Sequence, residues 1–313
     1  MSRAVLVWGG AAAAILGVGA LALGAVAMTA TPAAHVQRYL DALARDDLVT
    51  VARLAGLEPP TAMPLGDEGE PSIRRIVSSL AAPDGTVTVV AEYGDDTDAV
   101  RVPFVLRPAP PTFGLVPAWA FAQAPVAALE VAADQHDRLV VGERRVQTAS
   151  PGESVLVNAF VPARVTVRLD EPLVVADPVT VRVPGDAGPV VLAVRPAERL
   201  DRAVTEQVEA LLIACAEQQV LQPAGCPFGI EIDDRVIDRP SWRLVESPAL
   251  ALAAGEEPGV WLWRGTGTAA ITVTVQRLFD GSTAERDDEV EFIVRGEVVL
   301  GPEGPRLTVY PPD

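Results

Sequence analysis

Between Val5 and Thr29 the chain reads VLVWGGAAAAILGVGALALGAVAMT, without a charged residue. As a helix rising about 1.5 Å per residue, such a stretch crosses a hydrocarbon core of about 30 Å. Trp8, near its start, suits the headgroup level. Past this segment the pattern changes. Val36, Tyr39, Leu40 and Leu43 recur at i, i+3, i+4 and i+7, the stripe of an amphipathic helix. Leu48, Val51 and Leu54 predict a second, short helix with Asp47 as its N-cap and Gly56 as its stop. Alternation then takes over. Residues 86–93, 99–106 and 116–121 read as strands, and 72–80 fits strand or helix with strand preferred; turn signals stand at Pro83-Asp84-Gly85 and in the acidic run 94–98.

From 125 to 186 no helical period occurs. Short strands at 126–132, 139–141, 144–148, 154–160, 164–169 and 179–183, punctuated by Pro and Gly, predict a small sandwich or barrel. After a strand at 190–194, Pro196 opens a helix with Leu200, Val204, Val208, Leu211, Leu212 and Cys215 on one side. Strands are expected at 229–232, 241–245, 249–253, 260–263, 268–279, 290–300 and 306–310. Gly265-Thr266-Gly267 reads as a bulge or turn between two of them.

The order helix, short helix, antiparallel meander is carried by RYLDALARDD, TVTVVAEYG, VRVPFVLR and PAWAF, over about residues 33–123. It resembles the NTF2-like (cystatin-like) domains of bacterial envelope proteins. The long helix beside long strands in 189–313 is similar to the same class. The resemblance implies a helix lying across a curved sheet and a conical pocket. Enzymes of that fold place Asp, His or Tyr in the pocket, a set that does not map onto this chain. The expected fold class is therefore α+β, mostly β. An N-terminal transmembrane helix (1–30) precedes two cystatin-like α+β domains (31–124 and 189–313), which flank a small all-β sandwich-like module (125–188).

Composition bears on location. All 25 basic residues are arginine and Asn158 is the one asparagine, a bias that resembles proteins of high-GC Gram-positive bacteria. The formal charge of −17 repels phosphate backbones, so nucleic acid is not an expected partner. Cys215 and Cys226 are the only cysteines, and a lone pair behind an export segment reads as a disulfide. The loop it closes is worth about 3 kcal/mol. The expectation is a single-pass cell-membrane protein with an extracytoplasmic body. Ala25-Val26-Ala27 leaves cleavage of the segment open. The stretch ATPAA (30–34) reads as a linker that keeps the body within about 20 Å of the bilayer.

Candidate chemistry is sparse. Trp242, Trp261, Trp263 and Tyr310 form a possible aromatic interaction patch, read either as a carbohydrate platform or, preferably, as a core layer under the helix. His136, in ADQHDR, is expected to be a solvated turn residue, and His35 to have no special role. The acidic clusters at Asp95, Asp96 and Asp98, at Asp233 and Asp234, and at Asp287, Asp288 and Glu289 lack calcium-loop spacing and fit hairpin tips and sheet edges. No GxSxG, SxxK or HExxH occurs. No catalytic, cofactor or metal site is expected, and the chain is not expected to be an enzyme. The expected function is a non-catalytic membrane protein presenting interaction modules to an envelope partner or wall component. The alternative is a small ligand or lipid bound in the pocket of an NTF2-like domain.

Overall fold

The computed structural model describes residues 30–57, 63–69, 71–97, 99–112, 116–185, 188–301 and 304–311. The apolar segment 5–29, the expected membrane crossing, lies outside the described residues. Among the described residues no helix is long and apolar enough to cross a membrane.

Helix α1 (Pro32–Leu43) starts inside the stretch expected to be a linker. Thr31 caps it by accepting from the Ala34 N–H at 3.1 Å, and Pro32 sits in the first turn, where its missing N–H costs nothing. Helix α2 (Leu48–Leu54) is capped as expected by Asp47, which accepts from the Thr50 N–H at 3.1 Å. Strands β1 (Ile73–Ala81), β2 (Val87–Gly94), β3 (Val100–Thr112) and β4 (Val116–Phe121) form an antiparallel meander in chain order. Its buried residues Val89, Ala91, Val102, Phe104 and Leu106 share a core with Val36, Tyr39, Leu40 and Leu43 of α1. The Tyr39 ring meets Phe104 and Phe121 edge-on at 5.9 and 5.2 Å.

The second module holds β5 (Val126–Ala133), β6 (Arg138–Val141), β7 (Arg144–Gln147), β8 (Val155–Phe160), β9 (Ala163–Leu169), β10 (Val174–Val175), β11 (Val179–Val183) and β12 (Val190–Leu192). One sheet runs β11-β9-β6-β7 and the other β12-β5-β8. Strand β12, placed by sequence in the last domain, pairs in parallel with β5 and so completes the second module's sheet. A two-residue strand, β13 (Arg195–Pro196), pairs with β10 and leads into α3 (Glu198–Ala216).

Leu200, Val204, Val208, Leu212 and Cys215 form the buried stripe of α3. The sheet beside it consists of β14 (Arg235–Val236), β15 (Ser241–Glu246), β16 (Ala251–Ala254), β17 (Val260–Gln276), β18 (Thr283–Gly301) and β19 (Gly304–Val309). Strands β17 and β18 pair without a register shift from Val260↔Val299 to Gln276↔Thr283. Strands β14, β15 and β16 pair in turn along the other edge of β17, and β19 extends the sheet beyond β18. The ladder passes straight through Gly265-Thr266-Gly267, so the expected bulge or turn does not form. These glycines instead admit close neighbours. A Cβ on Gly265 would lie 2.8 Å from the Leu250 side chain, and one on Gly267 would lie 2.6 Å from the Phe292 ring. Leu278 and Phe279, expected in a strand, sit in the turn between β17 and β18, with Phe279 99% exposed. Asp287, Asp288 and Glu289 fall within β18, not at a tip.

Among the described residues strand accounts for 49% and helix for 14%, in three helices. The expected pair of cystatin-like α+β domains is therefore corrected to a mostly β chain. A 12-residue helix lies on the first sheet with a 7-residue helix packed against it, and a single helix serves the last one. In the last sheet the short strands β14, β15 and β16 lie end to end along β17, where the sequence pattern suggested a run of long antiparallel strands.

The first two modules are joined by buried polar contacts. The Tyr39 hydroxyl donates to the Val161 carbonyl at 2.8 Å. The segment 63–69 runs beside β8 and β9. Leu65 donates its N–H to the Asn158 carbonyl at 2.8 Å, and Phe160 donates its N–H to the Leu65 carbonyl at 2.9 Å. The Asp67 side chain, 0% exposed, accepts from the Tyr93 hydroxyl at 2.8 Å and from the Arg164 N–H at 2.7 Å. The Arg164 guanidinium in turn reaches Asp95 of the first module at 2.7 Å.

Candidate functional site

Each residue singled out from sequence has a definite place. Cys215 and Cys226 form the expected disulfide, with an S–S distance of 2.04 Å, and both are buried. The bridge ties the last turn of α3 to the loop that leads to Phe228. The Phe228 ring packs on Trp242 at 5.0 Å and on Phe292 at 5.3 Å, so the helix end is fastened to the sheet. Gln218 closes the same loop by accepting from the Ala224 N–H at 2.9 Å and donating to the Ala224 carbonyl at 3.3 Å.

The aromatic group divides. Trp242, Trp261 and Trp263 are buried, which makes them core residues and removes the carbohydrate platform. The Trp242 indole donates to the Val220 carbonyl at 2.8 Å. The Trp263 ring fits because Gly296 stands opposite it. A Cβ on Gly296 would lie 2.6 Å from that ring and 1.9 Å from the Thr308 carbonyl oxygen. Tyr310 is apart from the three, half-exposed, with its hydroxyl donating to Glu297 at 2.8 Å. That hydrogen bond raises the Tyr310 pKa above the usual phenol value.

His136 is not the solvated turn residue expected. His136 is buried, and its Nε2 has no hydrogen-bond partner. Burial lowers its pKa, opposed by the charge of Asp137. His35 packs edge-on against Phe121 at 5.1 Å with Nε2 3.2 Å from the Leu54 carbonyl, and burial lowers its pKa also. Of the acidic run at the β2–β3 turn, Asp95 pairs with Arg164, which holds its carboxyl below the usual range, and Asp98 lies outside the described residues. Among the described residues, no group of three or more His, Cys, Asp and Glu side chains is placed to hold a metal ion.

Among the described residues the first module's interior is packed. Its core is filled by α1 and by Phe104, Phe121 and Phe160. The cavity beside it, against Asp67, Tyr93 and Arg164, measures about 20 Å³, enough for one water. A cavity of that size, among the described residues, does not hold the small ligand or lipid of the alternative reading.

The larger concavity is one the sequence did not disclose. A trough of about 1000 Å³ lies along the outer face of the β17–β18 sheet. Side chains alternate across a strand, so even-numbered residues of β17 and their odd-numbered partners on β18 share this face. The face is organised in rows. Leu262 stands opposite Glu297, with Ala253 beside it on β16. Arg264 stands opposite Arg295, flanked by Ala251 and by Tyr310, whose N–H donates to the Arg295 carbonyl at 2.9 Å. Thr266 stands opposite Ile293. Thr268 stands opposite Glu291, with Glu246 on its other side. Among the described residues, the side chains of Arg264, Glu246 and Glu291 make no ion pair or hydrogen bond. The trough thus has a cationic row and an acidic row, with a hydroxyl and an aliphatic side chain between them.

Comparison with protein-family models, curated proteins and solved structures finds no match to this chain. The resemblance to NTF2-like domains of envelope proteins gains no support from it, and the function rests on the geometry.

Proposed function

We propose that the protein is a single-pass, membrane-attached envelope protein that works by binding and not by catalysis. Segment 5–29 holds it to the membrane, the folded body lies on the extracytoplasmic side, and the body engages an envelope protein or wall component. The observation that carries this reading is the trough on the outer face of the β17–β18 sheet. It is open to solvent, lined by charged rows, and built on long strands whose register is fixed. Its lining includes neither histidine nor cysteine.

Two further features support the location. Disulfides such as Cys215–Cys226 persist in oxidising compartments. The uncharged run 5–29 is long enough as a helix to cross a hydrocarbon core of about 30 Å. The test is protease added to intact spheroplasts. The reading expects the body to be digested from outside while cytoplasmic markers survive. A body that resists protease until the cells are lysed overturns it.

A further inference from the structure

We infer that the free edge of β18, residues 283–294, accepts a segment of a partner protein as an added strand, and that this segment carries basic side chains at every second position. This rests on the reading of the last sheet as the interaction surface and names the chemistry of what it holds.

Strand β18 pairs with β17 from Thr283 to Val299, but β19 covers its other side only from Gly296 to Gly301. One further backbone contact, from the Tyr310 N–H to the Arg295 carbonyl at 2.9 Å, closes that ladder. Pro311 and Pro312 follow in the sequence, and proline has no N–H with which to continue it. Among the described residues no strand or loop pairs with the outer side of 283–294. Neither a proline nor a bulge interrupts this stretch. At about 3.4 Å per residue it presents about 40 Å of unmatched backbone donors and acceptors, a template for another strand. Arg295 turns its carbonyl outward, and the direction alternates along a strand, so the odd-numbered residues offer their N–H and C=O groups to the newcomer.

The same odd-numbered residues carry charge. Glu285, Asp287, Glu289 and Glu291 are exposed on one face of β18. Among the described residues, Glu285, Glu289 and Glu291 make no ion pair or hydrogen bond. Asp287 accepts from the Thr272 hydroxyl at 3.2 Å and stands 3.8 Å from the Arg243 guanidinium. In an added strand, the residue opposite each acid sits about 5.5 Å away between Cα atoms and projects to the same face. Lysine or arginine at those positions pairs with the acids. A second copy of this edge would set acid against acid in a chain of formal charge −17, so the edge favours a basic partner over itself. Residues between the basic ones fall on the other face, where Val290 is half-buried and Phe292 is buried, and where an apolar side chain is suited.

The test is isothermal titration of the full chain, held in nonionic detergent micelles, with the peptide acetyl-Lys-Val-Lys-Val-Lys-Val-Lys-amide, whose lysines match the spacing of the acids. Saturable binding is expected. A peptide of the same composition with its lysines contiguous is expected to bind about tenfold more weakly, because it cannot place them on one face. Methylating the backbone nitrogens of the two central lysines removes donors aimed at β18 and is expected to cost about tenfold or more. Glu289→Lys is expected to weaken the alternating peptide about fivefold, and the same charge change at Asp96, on the first module, to leave it unchanged. Unchanged melting temperatures for both variants show that the fold is intact, and the peptide comparisons stand without the variants. The inference is overturned if the alternating peptide gives no saturable heat. It is overturned equally if the contiguous and methylated peptides bind as tightly, which is attraction to diffuse negative charge only. In either event, a cross-linked adduct at Thr266 that depends on Arg264 leaves the wider reading of the sheet standing.

Discussion

Replacing Asp67 with alanine removes the centre of the junction between the first two modules. The carboxylate is fully buried and satisfies two donors from different parts of the chain, the Tyr93 hydroxyl at 2.8 Å and the Arg164 N–H at 2.7 Å. In Asp67→Ala both donors stay buried without a partner. Each orphaned donor costs about 1–3 kcal/mol. The Arg164 guanidinium keeps Asp95 at 2.7 Å, so its charge is not left alone and the penalty stays below that of breaking an isolated buried pair. The expected loss is about 3 kcal/mol, read as a lowered urea midpoint at unchanged slope. Tyr93→Phe removes one donor and leaves the carboxylate its second contact, so it is expected to cost about 1 kcal/mol. The double variant is expected to cost less than the sum of the two, because the hydroxyl orphaned by Asp67→Ala is gone. A urea midpoint for Asp67→Ala equal to that of the parent chain, or strict additivity in the double variant, refutes this account of the junction.

Other consequences are equally direct. Replacing both Cys215 and Cys226 with alanine opens a loop with a sequence separation of 11 and is expected to cost about 3 kcal/mol in the chain-entropy account; an unchanged melting temperature contradicts it. Gly296→Ala drives a Cβ into the Trp263 ring and the Thr308 carbonyl, and is expected to cost about 1–3 kcal/mol or more through forced backbone shifts; near-ultraviolet circular dichroism and melting read it, and a neutral result contradicts the close packing. Burial depresses the pKa of both His35 and His136, the latter against the net pull of Asp137, Arg138, Glu171 and Asp170. The unfolded chain therefore binds more protons below about pH 6.5, and stability present above that value is lost as pH falls through the folded pKa values. Melting temperature is expected to drop between about pH 7.5 and 5.5, and less so in His136→Gln; a rise on acidification contradicts the sign.

Local pattern made much of the fold legible. The stripe Leu200, Val204, Val208, Leu212 and Cys215 located α3, and alternation located β2, β4 and β9 within a residue or two. Asp47 and Gly56 bounded α2 as their side-chain chemistry requires. What stayed hidden depends on partners distant in the chain. Strand β12 joins β5 across about 60 residues, and no local signal marks a parallel pairing of three residues. Gly265 and Gly267 read as strand breakers until the neighbours that occupy their missing side chains are known. His136, surrounded in sequence by polar residues, is buried by a tertiary fold that sequence context does not report. Pro32 looked like linker because its place in the first helical turn depends on Thr31 acting as cap. The trough was illegible for the same reason: Arg264 and Arg295 become neighbours through the β17–β18 register, and nothing in either strand alone singles them out.

The central claim is that the protein acts by binding through the outer face of its last sheet. A photo-cross-linking residue placed at Thr266, between the charged rows, tests it in the full chain in native membranes. The account predicts a discrete adduct on illumination. The adduct is expected to disappear when Arg264→Glu is added and to persist when the same charge change is made at Arg138, on the second module. An absence of adducts at Thr266, or adducts indifferent to the charge at position 264, contradicts the claim.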